Sequence, residues 1–522
     1  MKAIQKVDNK RTADKRERLN DRILKFTGLF GGIQVLVILV SLIRTRLVTG
    51  FLQTVGFGIN ENLNRTLNLM KNSTNLGIAY SAVHSLSVDF ENTEALHEHT
   101  QESLRRAQAE LEMTIMVTRS WAFLTALLGL VLTFVLAPWL GRWAFGGSDE
   151  YAVYFRVLSI AVAAAAINGG EMAIMKGTGM IRQIAVCQLL AGVSTLVLSV
   201  PLFAWLGLKG IVPSITIVAI VTTAITMVYT LGRYRYSIRP FRPEVLKKGG
   251  KMVRFGIFFT LAAFFEAGAL SIIANFLTGY ANEDITGKYS AALLLITYFN
   301  TFLFAAMDAD YFPRLSAVSN SRLKTSLLLN RQVQTMSMIA GPMVIAFIVF
   351  LPVVVWVILS NRFIDSIPMA QLAVLSILGK SLTLPVAYLA LSRADSLVYV
   401  VQEFAYNAFL ILLVTNGYRV GGLVAAGAAF AVTELLYMAV LLLLVRFRYG
   451  VRLSSACVKG FVLHFFLALT AAVCCVLISV QHSYSSLSFR NLLPLSVAAV
   501  AFLVSAAVSF RYLKKNTTIL KR

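Results

Sequence analysis

The residues best suited to chemistry lie in a membrane-length stretch, residues 63–86, that is unusually rich in polar side chains. Read as an α-helix, its polar residues recur with the i, i+4, i+7, i+8, i+11 spacing that places side chains on one face. They are Asn64, Asn68, Lys71, Asn72 and Asn75, with Arg65 beside them. A charge at the bilayer centre costs roughly 2.5–3.5 kcal/mol or more, so this face must contact protein or water rather than lipid. The stretch therefore predicts that the protein has a water-filled, positively charged interior.

A second set of intramembrane charges is acidic and lies mostly in the second half of the chain. Glu266 stands at the centre of one apolar run, and Asp308 and Asp310 lie near the inner end of the next. Intramembrane carboxylates carry protons or bind Na⁺ in coupled transporters, so these three are candidates for coupling to H⁺ or Na⁺. A further group sits in later runs, and for it mutual pairing and coupling both stay open. This group is Lys380, Glu403 and Glu434.

Arg156 and Glu171 share one apolar run but are fifteen residues apart, too far to pair with each other on a helix. Each therefore needs another partner or water. Cavity lining and pairing between helices are both open for these two residues.

Composition indicates that the elements carrying these residues are membrane helices. Of the 522 residues 57% are apolar and only 14% are charged, and the mean hydropathy is +0.72. Runs long enough to cross about 30 Å of hydrocarbon recur along the whole chain. We therefore expect an all-α polytopic membrane protein with about fourteen transmembrane helices. The expected spans are 25–43, 64–86, 117–137, 152–172, 183–206, 211–231, 255–277, 290–311, 335–359, 368–391, 398–417, 422–445, 461–480 and 492–510.

The net charge of +23 follows topology rather than one binding face. With fourteen spans and a cytoplasmic N-terminus, most of the 48 lysines and arginines fall in cytoplasmic segments, as the positive-inside rule requires. This distribution argues against a nucleic-acid partner and predicts that both termini are cytoplasmic. The four cysteines show no metal-ligand spacing, and no GxxxxGK[ST] phosphate loop occurs, so we expect no cofactor apart from a coupling H⁺ or Na⁺.

A weak internal repeat relates residues 23–231 to residues 253–445. At an offset of 229 residues, Gly58 aligns with Gly287, and the polar second span aligns with the eighth. The repeat predicts two pseudo-symmetric six-helix lobes plus two C-terminal helices. The expected divisions are 1–24 (basic arm), 25–231 (N-lobe), 232–254 (basic linker), 255–445 (C-lobe), 446–460 (basic loop), 461–510 (spans thirteen and fourteen) and 511–522 (basic tail).

Three segments carry a resemblance to a known family. Residues 44–58 contain Thr-Arg and Gly-Phe-Gly, and residues 72–83 read Asn-Ser-Thr-Asn-Leu-Gly-Ile-Ala-Tyr-Ser-Ala-Val. Residues 306–316 contain Tyr-Phe-Pro-Arg-Leu. Together they resemble Wzx-type oligosaccharide flippases of the multidrug/oligosaccharidyl-lipid/polysaccharide exporter superfamily, over about residues 25–450. Gln53-Thr54-Val55 stands where that family usually has a Gly-Pro turn.

The resemblance implies a MATE-like fold in the bacterial inner membrane. It also implies alternating access that flips undecaprenyl-pyrophosphate-linked oligosaccharide, without breaking a bond, so the chain is not expected to be an enzyme. Membrane lipids, a polysaccharide polymerase and a chain-length regulator are the implied partners.

A diphosphate favours arginine and lysine, whereas sugars favour amides and hydroxyls. The candidate substrate-binding residues are Arg44, Arg46, Arg65, Asn68, Lys71, Asn72, Asn75 and Arg156.

Three other functions stay open. A cation-coupled multidrug exporter of the same fold would prefer acidic and aromatic cavity walls, which the cationic stripe disfavours. A peptidoglycan-precursor flippase would share the diphosphate chemistry. A membrane polymerase or ligase would need a sizeable external loop, and every expected external loop is short.

Overall fold

The structure is a computed structural model that describes residues 2–95, 101–145, 147, 150–318, 321–393, 395–480 and 489–520. Every extended regular element in these ranges is helical. The α-helices are α1 (Lys2–Thr74), α2 (Ile78–Ala95), α3 (Gln101–Ala144), α4 (Ala152–Gly177), α5 (Ile181–Leu206), α6 (Ile211–Leu231), α7 (Pro243–Tyr280), α8 (Glu283–Val318), α9 (Arg322–Ile358), α10 (Ile367–Ala373), α11 (Leu375–Ser392), α12 (Ser396–Tyr449), α13 (Ser455–Val480) and α14 (Phe489–Leu520).

The helices have the length and composition of membrane spans. Within the described residues, ten helical stretches are long and apolar enough to cross a bilayer. Three of them, residues 36–74, 182–231 and 396–449, are interrupted at Gln53, at residues 207–210 and at Gly421–Gly422, so each is long enough for two crossings. Helix α8, with 36 residues, is long enough as well. The all-α polytopic fold is confirmed.

The interruption in α1 occurs at a residue that does not favour it. Gln53 has φ 58° and ψ −163°, a backbone region essentially restricted to glycine. The comparable kink in α12 has φ 60° and ψ −150° and is formed by Gly422. A side chain in this region costs about 1–3 kcal/mol, so the α1 kink is held by its surroundings against local strain.

Replacing Gln53 with glycine should therefore stabilise the protein. The relief of strain outweighs the extra entropy of an unfolded glycine, and we expect a net gain of about 1 kcal/mol. The measurement is the melting temperature of the detergent-purified protein. Gln332→Gly, in the regular interior of α9, is the matched control and should lose about 1 kcal/mol. A Gln53→Gly variant that melts below the wild type would contradict the strain argument.

The second span differs from its expected form. A single helix over residues 64–86 was expected, but α1 ends at Thr74 and α2 begins at Ile78. Leu76 and Gly77 have φ values of 50° and 70°, which a continuing right-handed helix excludes. The uninterrupted helix is therefore wrong, because Gly77 permits a left-handed turn in the middle of the apolar run.

Contacts divide the chain into two compact units. Unit 1 contains residues 1–47, 74–137 and 153–257, and unit 2 contains residues 48–73, 138–152 and 258–522. In unit 1, α5 packs on α6; in unit 2, α9 packs on α13, and α11 packs on α12. The core of unit 1 includes Ile78, Leu86 and Ile174, which are at most 1% exposed. The division at residues 25–231 and 255–445 that the repeat indicates stays a prediction.

Candidate functional site

Arg65 in unit 2 is half-buried and incompletely satisfied. Its guanidinium carbon lies 5.3 Å from the centroid of the Tyr289 ring, a cation–π distance. Its Nη1 is buried without a hydrogen-bond partner in the described part of the chain, and the same holds for the Tyr289 hydroxyl. An unpartnered buried guanidinium nitrogen is a donor available to an anionic acceptor.

Further polar groups of unit 2 retain hydrogen-bonding capacity. Both amide atoms of Asn275 in α7 and the hydroxyl of Ser290 in α8 are buried without a partner among the described residues. Asn62 donates to the carbonyl of Ala144 at 2.7 Å, but its own oxygen has no such partner. Sequence reasoning missed these groups and Tyr289, although Tyr289 lies in the Thr-Gly-Lys-Tyr segment of the repeat.

The predicted polar stripe is only partly retained. Asn68 is exposed and Lys71 is half-buried, whereas Asn72 donates its amide to the carbonyl of Ala263 in α7 at 3.2 Å. Asn64 bonds locally to the Asn60 carbonyl at 2.9 Å. Asn75 lies beyond the end of α1, in the turn before α2, where its carbonyl accepts the N–H of Ile78. The stripe of α1 is therefore limited to residues up to 72.

The other predicted cations lie in unit 1 and are described separately. Arg44 donates from Nε to the hydroxyl of Ser199 in α5 at 3.4 Å. Arg46 is exposed. Arg156 is exposed and lies 5.8 Å from the ring centroid of Phe134. Their roles in substrate binding stay predictions.

The partner that Glu171 requires is Arg119 of α3, which sequence reasoning missed. The guanidinium donates from Nε to Oε1 at 2.8 Å and from Nη2 to Oε2 at 3.0 Å. Both side chains are at most 2% exposed, and the Thr230 hydroxyl donates to the same carboxylate. The third guanidinium nitrogen reaches the backbone carbonyl of Arg235 at 2.7 Å. This buried pair joins α3, α4 and α6 and fixes the start of the basic linker.

The acidic residues of unit 2 form a group around α11 and α12. Glu434 is 1% exposed and accepts a hydrogen bond from Thr383, while its second oxygen is unpartnered within the described residues. Lys380 lies with its Nζ 5.8 Å from the centroid of the Tyr406 ring. Glu403 is half-buried in α12, and its carbonyl accepts the amide of Asn407 one turn further on at 2.8 Å.

Glu266 itself has an exposed side chain, and its neighbour Phe265 stacks edge-to-face on Phe404 with centroids 5.2 Å apart. This contact brings α7 against α12. Asp308 and Asp310 lie on the backbone of α8, but their side chains fall outside the described part of the structure.

A polar cluster ties the α1 kink to the start of α8 and to the segment before α10. The Thr54 hydroxyl donates to Asp284, and Lys288 lies 3.0 Å from Asp284 and 2.6 Å from Asp365. The Phe57 and Phe363 rings meet edge-to-face with centroids 5.7 Å apart. We refer to Thr54, Asp284, Lys288 and Asp365 as the external cluster, since all four lie on the side predicted to be external.

The external cluster keeps its charges at neutral pH. Although burial acts to raise it, hydrogen bonds from Thr54 and Lys288 hold the pKa of Asp284 below its ordinary value of 3.8. Burial likewise acts to lower the pKa of Lys288, but Asp365 and Asp284 hold it above 10.5. Because the pKa of Asp284 is lowered, its ionised carboxylate stabilises the folded cluster above pH 3.8. Because the pKa of Lys288 is raised, its protonated amine stabilises the folded cluster below pH 10.5. The cluster is therefore not a switch for physiological pH.

Below this cluster, the two glycines aligned by the repeat are in contact. A Cβ added to Gly58 would lie 2.8 Å from the Gly287 nitrogen, and one added to Gly287 would lie 3.3 Å from the Gly58 nitrogen. The Cβ added to Gly287 would also overlap the carbonyl of Thr54. Only glycine allows α1 and α8 to approach this closely.

Solved structures with the same fold are transporters. An inward-facing multidrug resistance MATE family transporter of the MOP superfamily superposes with a TM-score of 0.61 at 16% identity, over 79% of this chain and 94% of that one. The lipid II flippase MurJ in an inward closed conformation gives 0.54 at 13% identity, over 88% and 99%. A MOP superfamily transporter from Pyrococcus furiosus, whose pocket is described as reversed in polarity, gives 0.55 at 15% identity, over 81% and 93%. The chain has the MOP-superfamily fold.

A family model then specifies the relationship further. The model described as "Polysaccharide biosynthesis protein" matches residues 100–368, which is more than half of the chain. The chain belongs to this family, and it is a multi-pass membrane protein. No curated protein matches it in sequence.

Proposed function

We propose that this protein is a flippase that moves undecaprenyl-pyrophosphate-linked oligosaccharide across the inner membrane by alternating access. The observation that carries the proposal is the half-buried Arg65, whose buried Nη1 has no partner within the described residues. A diphosphate supplies the acceptors that this nitrogen lacks, and arginine matches phosphate geometry well. The polysaccharide biosynthesis family and the MOP-superfamily fold support the same function.

The remaining polar groups suit the rest of such a substrate. Lys71 lies six residues after Arg65, about 9 Å along the helix and roughly 120° around it, so both reach a bulky head group in a water-filled cleft. The unsatisfied amides of Asn62 and Asn275 suit sugar hydroxyls. A multidrug exporter expelling organic cations would gain nothing from Arg65 and Lys71.

The proposal is tested by complementation in a bacterium that lacks its O-antigen flippase. The wild-type gene should restore surface polysaccharide, whereas Arg65→Ala and Lys71→Ala should insert normally and fail, with Lys71→Arg retaining part of the export. Arg182→Ala, an exposed arginine of α5, is the control and should export normally.

Two outcomes would contradict the substrate. In one, both alanine variants insert and export normally, which makes these residues structural. In the other, the gene rescues a strain depleted of its lipid II flippase but does not restore O-antigen, which assigns the peptidoglycan precursor instead.

We further propose that transport is coupled to an ion gradient through Glu266, whose neighbour Phe265 packs on Phe404, the residue next to Glu403. Glu266→Gln should abolish the dependence of transport on the H⁺ or Na⁺ gradient while leaving the protein folded and inserted. Glu244→Gln, an exposed residue at the start of α7, is the control. Unaltered gradient dependence in Glu266→Gln would make Glu266 structural and leave Asp308 and Asp310 as the candidates.

The location and the partners belong to the same proposal. The charge bias supports a cytoplasmic location for both termini. A polymerase and a chain-length regulator are the partners that would consume the flipped glycan.

A further inference from the structure

The turn between α12 and α13 is held rigidly by two side chains of α9. Gly450 ends α12 with φ 65°, and its N–H bonds to the carbonyl of Arg446. Arg322 donates to the Gly450 carbonyl, from Nε at 2.8 Å. Asn330 binds the backbone of the next residues on both sides of Leu453. Its amide nitrogen donates to the Arg452 carbonyl at 3.1 Å, and its oxygen accepts the Ser454 N–H at 2.6 Å. The bonds from α9 therefore hold the backbone of Arg452 in place before any ligand binds.

This turn closes a cavity of about 260 Å³ between α9, α11, α12 and α13. Seven aliphatic side chains line it, Val386, Leu442 and Val458 among them, and the two remaining lining residues are Arg446 and Arg452. Among the described residues that line the cavity, none has a carboxylate. The cavity thus combines an apolar wall with two cations.

The surface next to the cavity carries exposed apolar side chains. Leu443 is 54% exposed and Phe447 is 82% exposed, and both are carried by the same helix as Arg446. Val458, within the lining, is 42% exposed. On the side that the charge bias predicts to be cytoplasmic, this position is level with the lipid head groups.

We propose that the cavity binds an anionic phospholipid of the cytoplasmic leaflet, with one acyl chain against the aliphatic wall and the phosphodiester between Arg446 and Arg452. The aliphatic wall of the cavity offers water no hydrogen-bond partners, whereas an acyl chain packs against it. Basic pockets between transmembrane helices on the cytoplasmic side are suited to anionic head groups. A free phosphate would leave the aliphatic wall uncovered, so the ligand is a lipid.

We assign this lipid site a structural role that is separate from cargo transport. It joins α9, α11, α12 and α13 at one end of unit 2, so a bound lipid would brace helices that surround the Glu403 and Glu434 group.

The test is native mass spectrometry of the full-length protein in detergent with added dioleoyl phosphatidylglycerol or dioleoyl phosphatidylcholine. We expect the wild type to retain phosphatidylglycerol in preference to phosphatidylcholine. The Arg446→Gln/Arg452→Gln double variant should bind phosphatidylglycerol at least about tenfold more weakly, since each arginine near the membrane surface contributes about 1 kcal/mol, or roughly fivefold. Lys324→Gln, an exposed lysine at the start of α9, is the control and should bind like the wild type.

A second variant keeps both charges and fills the cavity. Val458→Trp, at a partly exposed position, should also lose phosphatidylglycerol, because the acyl chain is displaced. Equal retention of the two lipids by the wild type, or undiminished phosphatidylglycerol binding by the double variant, would overturn the proposal. Loss of farnesyl diphosphate binding in the double variant, with no competition from phosphatidylglycerol, would also overturn it and assign the cavity to the cargo.

Discussion

An Arg119→Ala variant should lose about 3–5 kcal/mol of stability, the amount typical of breaking a buried ion pair. The substitution leaves the Glu171 carboxylate, which is 2% exposed, with only the Thr230 hydroxyl to satisfy it. It also removes the donor to the Arg235 carbonyl, so the start of the linker loses its anchor. The measurement is thermal unfolding of the detergent-purified protein followed by intrinsic fluorescence.

Two controls separate the pair from general effects of substitution. Arg182→Ala removes an exposed arginine of the same unit and should melt like the wild type. Arg119→Met combined with Glu171→Leu replaces both partners by apolar groups and should recover most of the loss, because no charge is left buried alone. If Arg119→Ala melts at the wild-type temperature, the buried pair does not stabilise the folded protein.

A side chain larger than hydrogen at Gly58 should prevent the close packing of α1 on α8. The added atoms overlap the backbone of Gly287, and overpacking of this kind costs about 1–3 kcal/mol. The population of the packed state would fall by roughly five- to a hundred-and-fiftyfold relative to any state in which α1 and α8 separate. We expect Gly58→Val to insert but to lose most export, since the proposed alternating access requires both states.

The packing is measured directly by disulfide formation between Thr54→Cys and Asp284→Cys in a background without native cysteines. These two side chains are in contact, so the pair should crosslink readily alone and slowly when combined with Gly58→Val. Gly50→Ala is the matched control, because no atom lies within 4 Å of the Cβ that it adds. Equal crosslinking rates for Gly58→Val and Gly50→Ala would contradict the proposed role of the glycine contact.

Periodicity and composition were sufficient for the membrane fold, whereas the role of Arg65 stays a prediction. Runs of about twenty apolar residues fold as helices because the bilayer leaves the backbone no other partner. The repeat also aligned Gly58 with Gly287, and the structure places these glycines in contact.

Other features depended on tertiary contacts that a linear pattern does not contain. Arg119 and Glu171 are 52 residues apart, and nothing in their spacing marks them as partners. The residue type at Gln53 does not mark the kink, because glutamine neither breaks helices nor favours a positive φ; only the resemblance, with its Gly-Pro turn at this place, indicates a turn here. The break after Thr74 did have a signal in Gly77, but the regular spacing of the asparagines concealed it.

The most direct test of the central claim is transport by the purified protein in liposomes. The assay follows movement of a fluorescently labelled polyprenyl-diphosphate oligosaccharide from one leaflet to the other. In the proposed site, Arg65 and Lys71 would each make charge-assisted contacts worth about 1.5–3 kcal/mol, so Arg65→Ala and Lys71→Ala should weaken the apparent affinity roughly ten- to a hundredfold. The account predicts flipping by the wild type and by Arg182→Ala, with loss in these two variants. Absence of flipping by the folded wild type under every imposed H⁺ or Na⁺ gradient, or equal flipping by all variants, would contradict it.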